Sequence, residues 1–165
     1  MNLHLAGGFE FLIERLVRGV VVEREIVHNL MPTEGLDHMV SVTMKNGTQV
    51  PTWYLGLYEG NYVPASTDTM ALLPGLATEA TTYDEAGRVV WNEGAVVTGA
   101  VNNSANKAEF TSNANKTIYG GFITSNQTKG ATTGVLLSVV RFASPKTFEV
   151  GSILRVTAGF TLTSI

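Results

Sequence analysis

Hydrophobic and polar positions alternate along most of this chain, most regularly at its C-terminal end. From Gly151 to Ile165, Leu154, Val156, Ala158, Phe160 and Leu162 fall on one side, and Arg155, Thr157, Gly159, Thr161 and Thr163 on the other. Strand side chains point to opposite faces with a period of two, so the pattern predicts a strand with one face on a core and one near water. Further strands are predicted at about Ala108–Ser112, Thr117–Thr124 and Gly134–Phe142, with the last running from about Ser152 to Thr163. The core side should include Phe110, Ile118, Phe122, Leu154, Val156, Phe160 and Leu162. The run Gly134–Phe142 is apolar on both sides, with Val135, Leu137 and Val139 on one and Leu136, Val140 and Phe142 on the other. Such a strand is covered twice, by a helix or long loop of its own chain or by another subunit.

Earlier in the chain, Phe9, Phe11, Ile13 and Val17 alternate with Glu10, Glu14 and Arg18, and after Arg18-Gly19 the set Val20, Val22 and Ile26 falls opposite Glu23, Glu25 and Asn29. Two such runs around a short Gly-containing turn predict a β-hairpin with unlike charges at its centre. The period then becomes helical. Thr33 is placed to cap a helix that spans Thr33–Lys45, carries Leu36, Met39, Val40 and Thr43 as its apolar stripe, and ends at Asn46-Gly47. Trp53–Tyr58 reads as a strand with Trp53, Leu55 and Leu57 inward. Gly60–Asp68 reads as a polar loop, followed by a helical turn capped by Ser66 or Asp68 and ended by Pro74. Thr78–Glu85 reads as extended, Arg88–Trp91 and Ala95–Val101 as strands, and Asn102–Asn106 as a turn cluster. About eight strands with one short α-helix in the N-terminal third predict a mainly β protein. The simplest form is an antiparallel, jelly-roll-like β-sandwich, with a small barrel as the alternative. Residues 1–165 make a single domain, and 1–30 are either an N-terminal arm or hairpin or part of the same sandwich.

Composition narrows the function. Charged residues are 15% of the 165, net charge is −3, and there is no cysteine. No long-range field draws in nucleic acid or an anionic membrane, and disulfides and zinc–thiolate sites are excluded. No apolar run approaches the ~20 residues that span a bilayer, and Met1–Gly8 lacks the pattern of a signal peptide, so a soluble protein is expected. His4, His28 and His38 lie at no metal-ligand spacing, with Asp37 the nearest carboxylate in sequence to His38. No nucleophile elbow, phosphate loop or dinucleotide fingerprint occurs, and Lys129-Gly130 reads as a strand-connecting turn. Glu23 with Glu25, and Asp84 with Glu85, read as solvated carboxylates rather than a glycosidase pair, because only Trp53 and Trp91 could build a sugar platform. The sequons at Asn46, Asn102, Asn115 and Asn126 read as turn asparagines. No catalytic, cofactor-binding or metal-binding residue is assigned, and an enzyme is not expected.

A set of segments carries a resemblance: Val27-His28-Asn29-Leu30-Met31 with Glu34-Gly35-Leu36-Asp37, then Trp53-Tyr54-Leu55-Gly56-Leu57-Tyr58, then Tyr83-Asp84-Glu85-Ala86 with Arg88, and finally Lys116-Thr117-Ile118-Tyr119-Gly120-Gly121-Phe122 continuing to Lys129-Gly130-Ala131-Thr132-Thr133-Gly134. In this order they resemble the capsid decoration, or cement, proteins of short-tailed bacteriophages, over about Val27–Ile165. The resemblance implies a jelly-roll-like virion protein, made in the host bacterial cytoplasm, that sits on the capsid surface and clamps neighbouring major capsid subunits. Tail and head–tail adaptor proteins share this general look, and a carbohydrate-binding module that exposes Trp53 and Trp91 is the further alternative. The implied partner is the major capsid protein, with no nucleic acid and no membrane; the low charge and the doubly apolar run 134–142 separately predict a homo-oligomer, a dimer or trimer. The expected contacting segments are Met1–Gly8, Gly60–Thr69 and Asn102–Asn106, since loops carry binding on a rigid β scaffold.

Overall fold

A computed structural model describes residues 5–164. Strands β1 (Leu5–Val17) and β2 (Val20–His28) form the expected hairpin. Its turn residues Arg18 and Gly19 both take positive φ, 51° and 77°, as a twist-matched two-residue turn requires. Helix α1 (Thr33–Met44) follows, then β3 (Tyr54–Tyr58), the short helix α2 (Leu73–Leu76), and β4 (Glu79–Ala80), β5 (Val89–Val90), β6 (Ala100–Asn102) and β7 (Ala108–Thr111). The chain ends with β8 (Lys116–Thr124), β9 (Leu136–Phe148) and β10 (Ile153–Ser164). One antiparallel sheet runs β2-β1-β10-β6, with β7 also on β10; the other runs β4-β3-β8-β9, with β5 also on β3. The protein is therefore mainly β, a sandwich of two antiparallel sheets. Strand β1 lies inside its sheet, in register with β10 from Leu5↔Ser164 to Leu16↔Ile153.

The main core lies between the sheets. Phe9, Phe11 and Ile13 of β1 meet Leu55 and Leu57 of β3, Phe110 of β7, Ile118 of β8 and Leu154 and Val156 of β10. A second apolar cluster sits on the outer face of the β3–β8–β9 sheet, where Met70, Leu73 and Ala77 cover Tyr58, Phe122, Leu136 and Val139. This explains the doubly apolar strand. Leu137, Val140 and Phe142 belong to the main core, and Leu136 and Val139 to the second cluster. The chain covers both faces of β9 itself, which removes the reason that strand offered for a second subunit. Two cross-strand pairs fix the second cluster: the ring of Phe122 lies on Gly56, and the ring of Tyr58 on Gly120. A Cβ at either glycine would occupy the space of the ring opposite.

Several local expectations change. Leu162 is 39% exposed, and Thr161 and Thr163 are exposed with it, so the register of β10 stands but the strand runs past the edge of the core. Phe160 is half-buried, and Phe122 faces the second cluster rather than the main core. Pro32, not Thr33, precedes α1, and no side chain caps it; the Thr33 N–H donates to the carbonyl of Ser66 at 2.9 Å. The helix approaches the sheet on Gly35, where a Cβ would collide with the carbonyls of Leu136 and Leu137. That rotates the contact face to Gly35 and Met39 and leaves Leu36, Val40 and Met44, spaced four apart, exposed. Asn46, at φ 55°, ends the helix as expected. Pro74 opens α2 rather than closing it. Within Ala95–Val101, Thr98 and Gly99 take positive φ and Val97 exchanges two hydrogen bonds with Ala100, so the segment is a tight turn with Thr98 and Gly99 at its tip and Val96 and Val97 exposed just before it.

Candidate interaction surface

The hairpin turns its polar side inward on β2, the reverse of what alternation suggested. Lys146 of β9 is 1% exposed, and its Nζ donates to Glu23 at 2.5 Å, Glu25 at 2.7 Å and the Ser144 hydroxyl at 2.9 Å. A buried ammonium has to be paired. β2 supplies both partners, so Glu23 and Glu25 are a cross-sheet anchor and not a solvated face. Burial opposes ionisation of Glu23, but hydrogen bonds from Lys146 and Arg15 outweigh it and hold its carboxyl below the ordinary value. As a consequence Val20, Val22 and Ile26, at 63%, 50% and 58% exposure, point outward.

On the outer face of the β1–β2–β10 sheet, Glu14 is buried beneath long cations. Arg24 Nη2 donates to it at 2.6 Å and Lys107 Nζ at 3.1 Å, and Arg155 stands 4.0 Å away while pairing with Glu109 at 2.7 Å. The hydrogen bond from Arg24 is the largest influence and, with Lys107, holds the Glu14 carboxyl below its ordinary 4.5. The unfolded chain therefore takes up the proton first. The stabilisation is present above the ordinary carboxylate range and is lost as pH falls through the depressed folded values. Thermal melts between pH 6 and pH 3 should show the melting temperature falling at the acid end, with a shallower fall in Glu14→Gln. Parallel curves for the two proteins would contradict this assignment.

Buried ion pairs and backbone contacts pin the loops. Arg88, fully buried, donates to both oxygens of Glu79 at 2.8 and 2.7 Å and to the carbonyls of Asn126 and Ala131, holding the β8–β9 connection. Lys129 lies 3.6 Å from the centre of the Tyr83 ring and donates to the Tyr83 carbonyl; desolvation lowers its pKa. Lys129-Gly130 thus serves to tether a strand-connecting loop. Glu34 of α1 accepts from the N–H groups of Met70 and Leu136, tying the helix to both the covering loop and β9.

Of the three segments expected to contact a partner, the described part of the first and the third flank β10 and the second packs on the other sheet. Met1–His4 lie outside the described residues, while residues 5–8 belong to β1 and pair with the end of β10. Gly60–Thr69 packs on the β3–β8–β9 sheet. Tyr62 donates to the buried Asp68, which pushes the Tyr62 pKa up to about 12, and Arg141 donates to the Tyr62 carbonyl. Only its crest, including Asn61 and Val63, faces outward. Asn102–Asn106 is fastened to the other sheet through Asn103, whose amide bridges Val156 and Ala158 of β10. Sequence reading missed the outward faces of β2 and α1, because long-range pairing to Lys146 and close approach at Gly35 decide both.

Two of the four sequon asparagines form local side-chain turns, Asn102 and Asn126 accepting the backbone N–H groups of Ser104 and Thr128, while Asn115 accepts the N–H of the distant Val150. Trp53 and Trp91 line a cavity of about 210 Å³ with Phe9, His38, Met39 and Phe160. Trp91 is only 4% exposed and spends its indole N–H on the Ala158 carbonyl, so the two rings do not present a sugar platform. Among the described residues no group of His, Asp or Glu is placed to hold a metal ion, and no helix is long and apolar enough to cross a membrane. No protein-family model matches the chain, and a search of curated proteins finds no match.

Proposed function

We propose that this chain is a non-enzymatic structural protein of a tailed-phage virion that binds the outer surface of the assembled capsid and stabilises it by clamping neighbouring major capsid subunits. One structural observation carries the reading together with the sequence resemblance. A sandwich pinned by buried ion pairs displays large apolar side chains at separate places: Val20, Val22 and Ile26 on β2, Leu36, Val40 and Met44 on α1, and Val96 and Val97 beside a tight turn. Single exposed apolar residues are ordinary, but rows of them on regular elements suit protein contact. Self-association as a dimer or trimer would use an exposed row such as that on α1, since β9 is covered by its own chain.

The mechanism is thermodynamic. A protein that binds the intact shell and not its separated subunits shifts assembly toward the shell by mass action, and many copies gain avidity from modest individual contacts. Sedimentation tests the selectivity. The purified chain should pellet with assembled empty shells of the phage that encodes it and remain in the supernatant with free major capsid subunits. Failure to pellet with shells, combined with density at the head–tail junction or tail of the virion, would replace this reading with an adaptor or tail role.

A further inference from the structure

The outer edge of β2 differs from the neighbouring long edge. On β9, the edge N–H groups of Val139, Leu136 and Ala143 are taken by the carbonyl of Leu30 and the carboxylates of Glu34 and Glu25. That edge is closed. β2 is the last strand of its sheet, and among the described residues no strand pairs with its outer side. The bond from the Asn29 N–H to the Phe9 carbonyl sets the odd positions from Glu23 to Asn29 as the ones bonded to β1, and a bulge opposite Arg15 and Leu16 ends that alternation at Val22. The backbone groups of Arg24 and Ile26 therefore face away from the sheet. Their side chains are exposed too, as is that of Val22 on the other side of Arg24, whose side chain is 62% exposed. Arg24 spends Nε and Nη2 on Glu14, and its Nη1 carries no hydrogen bond among the described residues.

A second copy of the chain is a poor fit for this edge. Antiparallel self-pairing centred on Arg24 sets arginine against arginine and Glu23 against Glu25. Moving the centre by one residue either way sets Glu23 against Glu23 or Glu25 against Glu25. Like charges directly opposite are destabilising, and such patterning is how edge strands avoid pairing with themselves.

We propose that the open edge of β2 docks an extended strand of a different protein, apolar on both sides of an acidic residue that faces Arg24. The outward backbone groups of Arg24 and Ile26 dictate a strand, the exposed side chains of Val22 and Ile26 dictate the flanking apolar positions, and Arg24 dictates the charge between them. The proposal does not depend on the partner being a capsid subunit, and its test uses no shells.

The probe is a nine-residue peptide with valine at positions one, three, seven and nine, glutamate at five and threonine between, titrated into the 15N-labelled full chain. Expected are shifts of the Val22, Arg24 and Ile26 amides and slowed exchange of the Arg24 and Ile26 N–H groups. A peptide with lysine at the centre should bind about fivefold more weakly. Arg24→Glu should reverse that preference, and because the lysine peptide is compared on the unaltered chain, the test stands even if the variant fails to fold. Shifts confined to α1 or to the cavity beside Trp53, absence of shifts, or equal binding of both peptides would overturn the proposal. So would a concentration-dependent dimer that protects the β2 amides without peptide, which would give the edge to a second copy.

Discussion

Replacing Arg88 with Met should destabilise the protein by about 3–5 kcal/mol, the cost of leaving one member of a buried ion pair without its partner. Arg88 and Glu79 have side chains 0% and 2% exposed, and the guanidinium also satisfies the carbonyls of Asn126 and Ala131. Without it the Glu79 carboxylate keeps only the Gly130 N–H at 2.9 Å. In a chain of this size the loss should lower the melting temperature by roughly 10 °C. The double variant Arg88→Met with Glu79→Leu should recover a large part of it, because removing both charges abolishes the desolvation cost that removing one exposes. Calorimetry on the three proteins decides this. A single-variant loss below about 1 kcal/mol would mean that water reaches the pair and that the β8–β9 connection is not held by it.

Lys146→Met should cost about 2–3 kcal/mol, less than Arg88→Met, because one of its two carboxylate partners is half-solvated. Glu23 is 34% exposed and keeps Arg15, whereas Glu25 is 13% exposed and keeps only the Ala143 N–H and the Ser144 hydroxyl. The readout is local as well as global. Amide exchange in β2 should accelerate more than in β1, since β1 remains held by β10. Uniform acceleration across both strands, or none, would show that Lys146 does not anchor the hairpin to the opposite sheet.

These two side chains also mark the boundary of what the sequence makes legible. Period-two alternation places β1, β7, β8 and β10, and the Arg18-Gly19 and Asn46-Gly47 signals place a hairpin turn and a helix end, because local sterics govern all of these. The face of β2 is decided by Lys146, 121 residues from Glu25, and a strand whose valines could lie on either side gives no local hint of the choice. The face of α1 is decided by Gly35, where the absence of a side chain permits close contact with β9. An apolar-stripe count rewards Leu36 and Val40 and overlooks a glycine. Leu162 follows the alternation faithfully, yet it lies where the core has ended. Both long-range decisions leave apolar rows outside, on β2 and α1, and these rows, more than the loops singled out by sequence, form the candidate interaction surface.

Heating virions made with and without the gene for this chain, and recording the temperature at which they release DNA, reads whether the chain adds stability to an assembled shell. Particles lacking the protein should release at a lower temperature, and adding back the purified chain should restore the threshold, with a weaker restoration by the Val22→Lys, Ile26→Lys variant if β2 is a contacting edge. Equal release temperatures in the two preparations, with the added protein remaining unbound, would mean that the chain does not stabilise the shell.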